Sequence, residues 1–246
     1  MDKTCYYCGG ALTKNNKCQV NYLQCSGCNT FFSLIEPDYE YDGGELREFY
    51  KTKIQDMHRR DHAHYMRFRG TDEFKHIASY QFGTIFAFGG GVPKLESGLT
   101  FDKIISYDLN SDLYMGVMDE FSVMYNIEKQ RIDLRSDFVN FQLIRGMEYG
   151  PNDLITFVHF LEHLTPPDFV SIMDAIPVGV NVLIYQPEAS KARGPGWFHF
   201  NDKQHLVIME LAHMITFFQD WYNIEIITKR YNSDDLFLVF RKRINR

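Results

Sequence analysis

From residue 82 onward, short apolar runs alternate with segments of helical spacing. Runs typical of strands cover residues 82–88, 101–109, 140–146, 152–160, 179–187, 224–231 and 235–243, and helical segments lie near 111–130, 166–176 and 203–221. Because the runs are apolar on both faces and helices lie between them, the pattern predicts an α/β sheet covered on both sides. The last two runs have no helix between them, which predicts an antiparallel hairpin at the sheet edge.

All five cysteines lie within the first 28 residues, and four of them form two C-x-x-C pairs. Cys5 and Cys8 form the first pair, and Cys25 and Cys28 form the second, sixteen residues later. Each pair makes a tight turn that aims two thiolates at one point, so the two turns together predict a tetrahedral zinc site. Four protein ligands close such a site, which makes it structural. Cys18 is left over and is not expected to be a ligand. The alternatives are a pair of disulfides, or cysteines that only fill the core, and disulfides are disfavoured in a chain with no secretion signal.

Length and charge limit the classes of protein to which the chain can belong. Its 246 residues allow one large domain, or an ordinary domain with a small accessory module. The start of the sequence has no apolar signal segment and no run reaches about 18 apolar residues, so we expect a cytoplasmic protein that does not enter a membrane. The net charge is −6, and basic residues cluster only over 58–69 and in the final RKRINR. Nucleic acid is therefore a disfavoured partner, although the sequence does not exclude it. The sequence does not specify an oligomeric state.

The same patterns divide the chain into three parts. We expect a zinc ribbon over residues 1–35, a helical connector over 36–80 and a larger α/β domain over 81–246. Within the connector, apolar spacing predicts a helix over 45–68 and a shorter one over 71–79.

A glycine triplet and an aspartate mark a candidate ligand site at the carboxyl ends of the first two strands. Gly89, Gly90 and Gly91 follow the first strand, and Asp108 closes the second strand nineteen residues after Gly89. Glycines let a backbone approach a ligand closely, and a carboxylate at this spacing can bind the ribose hydroxyls of an adenosine-type cofactor. An ordinary tight turn is the alternative for the triplet alone. A nicotinamide fingerprint fits less well, because it would need a glycine in place of Lys94.

Several stretches resemble the class I S-adenosylmethionine-dependent methyltransferases. They are FAFGGGVPKLE, IISYDL, NDLITFVHFLEHLTPP, AIPVGVNVLIYQPE, WFHFNDKQHLVIMELAHMITFF and the ribbon with CNTFFSLIEPDYEYDGGELREFY after it. The ribbon and the LEH stretch are similar to a subgroup that includes sugar methyltransferases. The resemblance implies a seven-stranded Rossmann-like sheet with a small N-terminal zinc ribbon. It also implies methyl transfer from S-adenosylmethionine to a small polar acceptor such as a nucleotide sugar or another glycosyl metabolite.

The resemblance also implies roles for individual residues. It places the cofactor at the three glycines, Asp108, Met147, Glu148, His159 and Phe160. It places the acceptor pocket and the catalytic groups at Glu162, His163, His199 and His205. For each histidine, a hydrogen-bonded structural role or packing of a loop on the sheet rim is the alternative. The glycine- and proline-containing start of the segment over 191–206 suggests a lid over the pocket.

Two departures from the family pattern leave other functions open. Ala87 stands where the family usually has an acid, and Pro93 replaces the third glycine. Because of these changes, a catalytically inactive member of the fold that serves as a binding scaffold is an alternative. A nucleic-acid methyltransferase is a further alternative.

The pentad HFLEH, residues 159–163, matches a signature of zinc peptidases, H-x-x-E-H. That chemistry needs both histidines on one face of a helix. Here β-branched and aromatic residues precede the pentad, and Pro166 and Pro167 follow it closely. We therefore predict that the pentad is the end of a strand and its loop, and that a helix begins at Pro166 with Thr165 as its cap. A peptidase is accordingly disfavoured.

Overall fold

The computed structural model describes residues 4–14, 21–34, 56, 62–89, 91–108, 111–135, 141–200, 205–232 and 234–243. The predictions made for Cys18, Gly90, residues 36–55 and 57–61 of the connector and residues 244–246 of the basic end lie outside these residues. Of the long helix predicted over 45–68, the described part is Asp56 and a helix over residues 62–69, named α1. The three-part division of the chain stays a prediction.

The centre of the molecule is a mixed sheet of seven strands. Its strands are β4 (Gln81–Phe88), β5 (Thr100–Tyr107), β6 (Ile132–Arg135), β7 (Leu154–Val158), β8 (Asn181–Pro187), β10 (Ile224–Asn232) and β11 (Asp235–Lys242). Their order across the sheet is β10-β11-β8-β7-β4-β5-β6. The strands from β8 to β6 are parallel, and β11 is antiparallel to both β8 and β10. The predicted hairpin at the sheet edge is confirmed.

One predicted strand is wrong. Residues 140–146 were expected to form the third strand, whereas Phe141–Gly146 is a helix and the third strand is Ile132–Arg135. A short apolar run fits a buried helix and a buried strand equally well, so periodicity alone could not separate them. The observed third strand has only four residues, in which apolar and charged side chains alternate. It was therefore not distinguished from the helical segments on either side.

Helices cover both faces of the sheet. They are α1, α2 (Asp72–Ala78), α3 (Ser111–Met115), α4 (Met118–Tyr125), α5 (Phe141–Gly146), α6 (Pro166–Ala175) and α7 (Leu211–Tyr222). Alternate residues of β4 serve the two sides: Phe86 and Phe88 belong to the core cluster that includes α6 and α7, and Ile85 belongs to the cluster that includes α1 and α2. Burial of an aromatic side chain of this kind is worth about 2–3 kcal/mol, so both layers stabilise the strand that carries the glycine loop.

The prediction for the pentad is confirmed. The strand β7 ends at Val158, and residues Leu161–His163 form a single 3-10 turn. The helix α6 begins at Pro166, and the Thr165 side chain accepts a hydrogen bond from the backbone N–H of Asp168. The long helix that a zinc peptidase requires is therefore absent at this place.

The cysteine-rich segment forms a second sheet that reaches into the rest of the chain. Its strands are β1 (Leu12–Thr13), β2 (Tyr22–Cys25), β3 (Phe31–Ser33) and β9 (Val207–Ile208), in that order. The strand β9 comes from the segment just before α7 and pairs antiparallel with β3. Among the described residues, no helix has the length and apolar character needed to cross a membrane.

Candidate functional site

The glycine loop begins where β4 ends, next to the point where the chain order of the sheet reverses. From β4 the chain moves to β5 and β6 on one side, and it then returns to β7 on the other side. In open α/β sheets a ligand binds at such a switch point, outside the carboxyl ends of the strands.

Gly89 and Gly91 both need to be glycine. Their φ angles are +77° and +67°, in the left-handed region. A Cβ on Gly89 would lie 2.8 Å from the Cβ of Phe160, and one on Gly91 would lie 2.2 Å from the ring of Tyr114. The loop therefore packs against neighbouring side chains, and Phe160, one of the residues predicted at the cofactor, lies beside it.

Asp108 holds the loop from the neighbouring strand. Its Oδ2 accepts a hydrogen bond of 3.1 Å from the backbone N–H of Gly91, and its own N–H donates to the carbonyl of Arg135 on β6. A second contact comes from the buried hydroxyl of Ser106, which donates to the Gly91 carbonyl at 2.9 Å. Ala87 lies directly beside Ser106 in the sheet register. The loop is thus held from β5, although Ala87 itself offers no acid.

Met147 and Glu148 were placed at the cofactor because they follow the run predicted to be the third strand. That run is helix α5, Phe141–Gly146, so the reason for placing them there does not hold. Both residues lie on the connection from α5 to the amino end of β7, whereas the glycine loop and Asp108 follow the carboxyl ends of β4 and β5. Met147 packs against the hydrophobic core, and its sulfur lies 3.3 Å from the hydroxyl of Tyr149.

His159 turns the chain at the end of β7 and lies against a buried carboxylate. Its φ is +49°, an uncommon conformation for a residue that is not glycine, and its N–H donates to the carbonyl of Tyr185 at 2.8 Å. Its Nδ1 lies 3.2 Å from Oε1 of Glu162, which is fully buried. Burial by itself would raise the pKa of Glu162, but the hydrogen bond from His159 and the charges of His163, His159 and His205 outweigh it and lower the pKa to about 2. Glu162 is therefore an ionised carboxylate with histidine side chains around it.

Three more predicted histidines complete this cluster. The ring of His163 lies 4.9 Å from the ring of His205, and Nε2 of His205 lies 4.0 Å from Oε1 of Glu162. The ring of His199 lies 5.4 Å from that of His205, and both are buried. Burial lowers the pKa of His199 to about 3, so its ring is neutral at neutral pH. The structure thus brings together Glu162 and all four histidines named in the sequence.

A second carboxylate in the same cluster was missed as a site residue. Oδ1 of Asp235 lies 3.7 Å from Nε2 of His199, and Oδ2 accepts a hydrogen bond of 3.1 Å from the hydroxyl of Tyr185. That hydroxyl lies 2.7 Å from Nε2 of His64 on α1. Asp235 opens the hairpin strand β11 and carries no local motif, and His64 lies in the basic stretch over 58–69, for which no site was predicted. Only the folded chain shows that they meet.

The cysteine-rich sheet supports this cluster directly. The hydroxyl of Tyr22 on β2 donates to the backbone carbonyl of His205 at 2.7 Å, and both groups are buried. Ser33 on β3 donates its N–H to the carbonyl of Leu206, and Leu206 donates its N–H to the carbonyl of Glu162. His205 is therefore fixed between the N-terminal sheet and the end of β7. In the expected lid, Trp197 and Phe200 are likewise buried against Tyr22 and its neighbours.

The four predicted zinc ligands come together. Their sulfur atoms all lie within 4.8 Å of one another, with 3.6 Å between Cys5 and Cys28 and 3.4 Å between Cys8 and Cys25. All four are free thiols, so the disulfide alternative finds no support in this arrangement. Tetrahedral zinc with Zn–S bonds of about 2.3 Å places its sulfur ligands about 3.8 Å apart. The cluster has the donor set and the size that such an ion requires.

Comparison with known proteins gives a fold. No protein-family model matches the chain, and no curated protein sequence matches it either. An O-methyltransferase family protein from Burkholderia thailandensis superposes with a TM-score of 0.56 and 10% identity, over 81% of this chain and 60% of that one. DhpI in complex with SAM and HEP superposes with a TM-score of 0.53 and 13% identity, over 80% of this chain and 95% of that one. The chain has the Rossmann-like methyltransferase fold.

The extent of these matches differs among the solved structures. The chain spans about half, 49%, of an O-methyltransferase family 2 protein from Planctomyces limnophilus, which matches 65% of this chain with a TM-score of 0.48 and 12% identity. At these identities the likeness concerns the fold alone. The predicted seven-stranded methyltransferase-like sheet is confirmed, and activity and substrate have to be argued from the site.

Proposed function

We propose that the protein transfers a methyl group from S-adenosylmethionine to a small polar acceptor. The observation that carries this proposal is the contact between Asp108 and the N–H of Gly91, which joins the ends of β4 and β5 beside the switch point of a methyltransferase-like sheet. That is where a strand-end carboxylate can bind the ribose hydroxyls of an adenosine-type cofactor.

The residues around the loop fit the cofactor. Gly89 and Gly91 take the left-handed backbone conformation that turns the chain at the end of β4, and Phe160 offers an apolar surface next to Gly89. S-adenosylmethionine supplies an electrophilic methyl on its sulfonium when it is bound. The chain's own task is then to hold the acceptor in line with that methyl, because positioning is the larger part of catalysis in a displacement of this kind.

The histidine cluster is the candidate acceptor site. Glu162 and His163 follow β7 directly after the cofactor side of the pocket, and His199 and His205 approach from the segment before α7. Carboxylates accept hydrogen bonds and imidazoles donate or accept them, so the cluster suits an acceptor with several hydroxyl groups. We therefore place nucleotide sugars and other glycosyl metabolites first among the candidates.

Calorimetry with S-adenosylmethionine tests the cofactor half of the proposal. We expect binding to the parent chain and a loss of at least about tenfold in affinity for Asp108→Ala, since a charged hydrogen bond is worth about 1.5–3 kcal/mol. Asp102→Ala is the matched control, because Asp102 lies exposed at the opposite end of the same strand and its loss leaves binding unchanged. Absence of binding to the parent chain would refute the proposal that it is an enzyme, and would favour the inactive binding scaffold suggested by Ala87 and Pro93.

Transfer of labelled methyl to a panel of acceptors tests the second half. Incorporation into nucleotide sugars, but not into DNA or RNA, is the expected result. Incorporation into nucleic acid, with binding that weakens steeply as salt rises, would instead support a nucleic-acid methyltransferase.

We further propose a structural zinc ion at Cys5, Cys8, Cys25 and Cys28. The close thiols and the short strands around them support it, because a domain this small gains most of its folding energy from the metal. Zinc held at this place would stabilise the strands that hold His205, so the metal would act on the site from a distance.

A further inference from the structure

The histidine cluster contains a second arrangement of metal-ligating atoms, separate from the cysteines. One ligand atom each from Glu162, His163 and His205 lies within 4.8 Å of the other two. Two of these residues belong to the 3-10 turn after β7, and the third precedes β9. The set of two imidazoles and one carboxylate is one that divalent transition metals bind.

His205 presents the correct nitrogen. Its Nδ1 lies 2.9 Å from the backbone carbonyl of His199. A carbonyl oxygen only accepts hydrogen bonds, so Nδ1 carries a hydrogen, and the neutral form of the ring presents the lone pair of Nε2. Nε2 is the atom that lies towards Glu162. Histidines that ligate metals are commonly held in this way, by a second hydrogen bond that fixes the tautomer and the plane of the ring.

Glu162 presents an oxygen that needs a partner. Its side chain is fully buried, and Oε1 takes the hydrogen bond from His159. Among the described residues, Oε2 has no hydrogen-bond partner. A buried carboxylate oxygen without a partner is costly, and a cation removes that cost. His159 then has the place of an outer residue that orients the ligand.

The backbone keeps the three residues in place without a metal. Leu206, next to His205, donates its N–H to the carbonyl of Glu162, and the His205 carbonyl accepts from Tyr22. Bound zinc with bonds of about 2.1 Å holds its ligand atoms about 3.4 Å apart, so closing the set requires only small side-chain rotations. His163 is the least buried of the three and has the most freedom to make them.

We propose that Glu162, His163 and His205 bind a divalent transition-metal ion, with zinc as the first candidate, and leave one coordination position open. Three protein ligands and an open position distinguish sites that take a substrate from closed structural ones. The open position would receive an oxygen of the acceptor and so fix its orientation. The identity of that oxygen rests on the proposed methyl transfer, whereas the metal site itself does not.

The pentad that resembled a peptidase signature gains a different meaning under this proposal. His163 and Glu162 are ligands, His159 supports Glu162, and the missing third ligand comes from His205, forty-two residues further along the chain. No helix is needed, because the set is assembled by the turn after β7 and the entry to β9.

Metal content of the full chain is the first test. After equilibration with zinc and removal of excess ion, we expect two zinc ions per chain in the parent and one in His163→Ala. The exposed His76→Ala is the matched control and keeps two. Glu162→Gln preserves the shape of the side chain and is expected to keep one, which guards against a variant that fails to fold. One ion per chain in the parent, or two in both His163→Ala and Glu162→Gln, would overturn the proposal and leave a hydrogen-bonded cluster only.

Cobalt substitution locates each ion. A four-thiolate site gives intense charge-transfer absorption in the near ultraviolet, and a site of two histidines and a carboxylate gives only weak visible bands. We expect His163→Ala to lose the weak bands and keep the intense ones, and Cys25→Ser to lose the intense ones. His159→Ala is expected to weaken cobalt binding at the second site about 10- to 100-fold, as for other outer residues of metal sites. Weak bands that persist in His163→Ala would contradict the assignment.

Calorimetry with S-adenosylmethionine on the same samples separates the two proposals. Cofactor binding with only one zinc per chain would refute the second metal and leave the methyltransferase standing. Two zinc ions per chain without cofactor binding would refute the methyltransferase and leave the second metal site standing.

Discussion

Removal of one oxygen atom from the N-terminal sheet should loosen the candidate site. Tyr22 is buried to 99% in β2, its ring packs against Phe200 at 4.8 Å, and its hydroxyl donates to the carbonyl of His205 at 2.7 Å. Tyr22→Phe keeps the ring and removes the hydroxyl that makes this hydrogen bond. Loss of a partner for a buried carbonyl costs about 1–3 kcal/mol.

The cost should appear first in the segment that the bond holds. A loss of 1–3 kcal/mol in local stability corresponds to a rise of about 5- to 150-fold in the opening equilibrium of residues 205–208, since about 1.4 kcal/mol is tenfold. Hydrogen–deuterium exchange with mass spectrometry measures this rise peptide by peptide. The affinity of S-adenosylmethionine should stay within about twofold, because the glycine loop and Asp108 belong to β4 and β5.

Tyr6→Phe is the control for this experiment. It makes the same chemical change two residues before Cys8, at a side chain that is 49% exposed. Unchanged exchange over 205–208 in Tyr22→Phe, or an equal rise in Tyr6→Phe, would refute the idea that the N-terminal sheet positions His205.

Three other changes test separate parts of the structure. Gly91→Ala should lower the free energy of unfolding by about 1–3 kcal/mol, and Tyr114→Ala in the same chain should recover the share due to the ring contact; urea titration of the single and double variants checks both. Burial raises the pKa of Glu188, whose carboxylate accepts from the N–H of Leu211, to about 7. The folded chain therefore binds this proton more tightly than the unfolded chain does. The resulting contribution to the free energy of unfolding, about 3 kcal/mol, is complete below pH 4.5 and is lost as pH rises through 7. Glu188→Gln should flatten this part of the stability profile, which urea titration at several pH values measures. Cys25→Ser should release one zinc per chain and make the strands around it sensitive to a protease, and retention of that zinc would contradict the cysteine site.

The glycine loop and the pentad could be predicted because their constraints are local. Gly89 and Gly91 take conformations that other residues avoid, and Pro166 with Thr165 fixes a helix start wherever it occurs. The strand expected over 140–146 failed for the opposite reason. Its apolar residues fit either structure, and the packing of α5 against α6 decided between them.

The composition of the cluster was predictable only in part. Glu162, His163, His199 and His205 stood in stretches with a recognisable pattern. Asp235 and His64 were not identified, because no local pattern connects the entry of a hairpin strand with the first described helix. His64 and Asp235 are 171 residues apart in sequence and meet only when the sheet is complete. The pairing of β3 with β9 could not be predicted for the same reason, because neither segment alone has a pattern that indicates the contact between Phe32 and Val207.

The pairing of β3 with β9 has a consequence for synthesis of the chain. The cysteine-rich segment leaves the ribosome early, yet its fourth strand is translated about 175 residues after Ser33. At 5–20 residues per second the segment waits about 10–35 s with an open sheet edge. Zinc captured by the four thiols during this interval would keep the turns folded until Val207 arrives, so zinc supply during translation should affect the yield of native protein more than zinc added after folding.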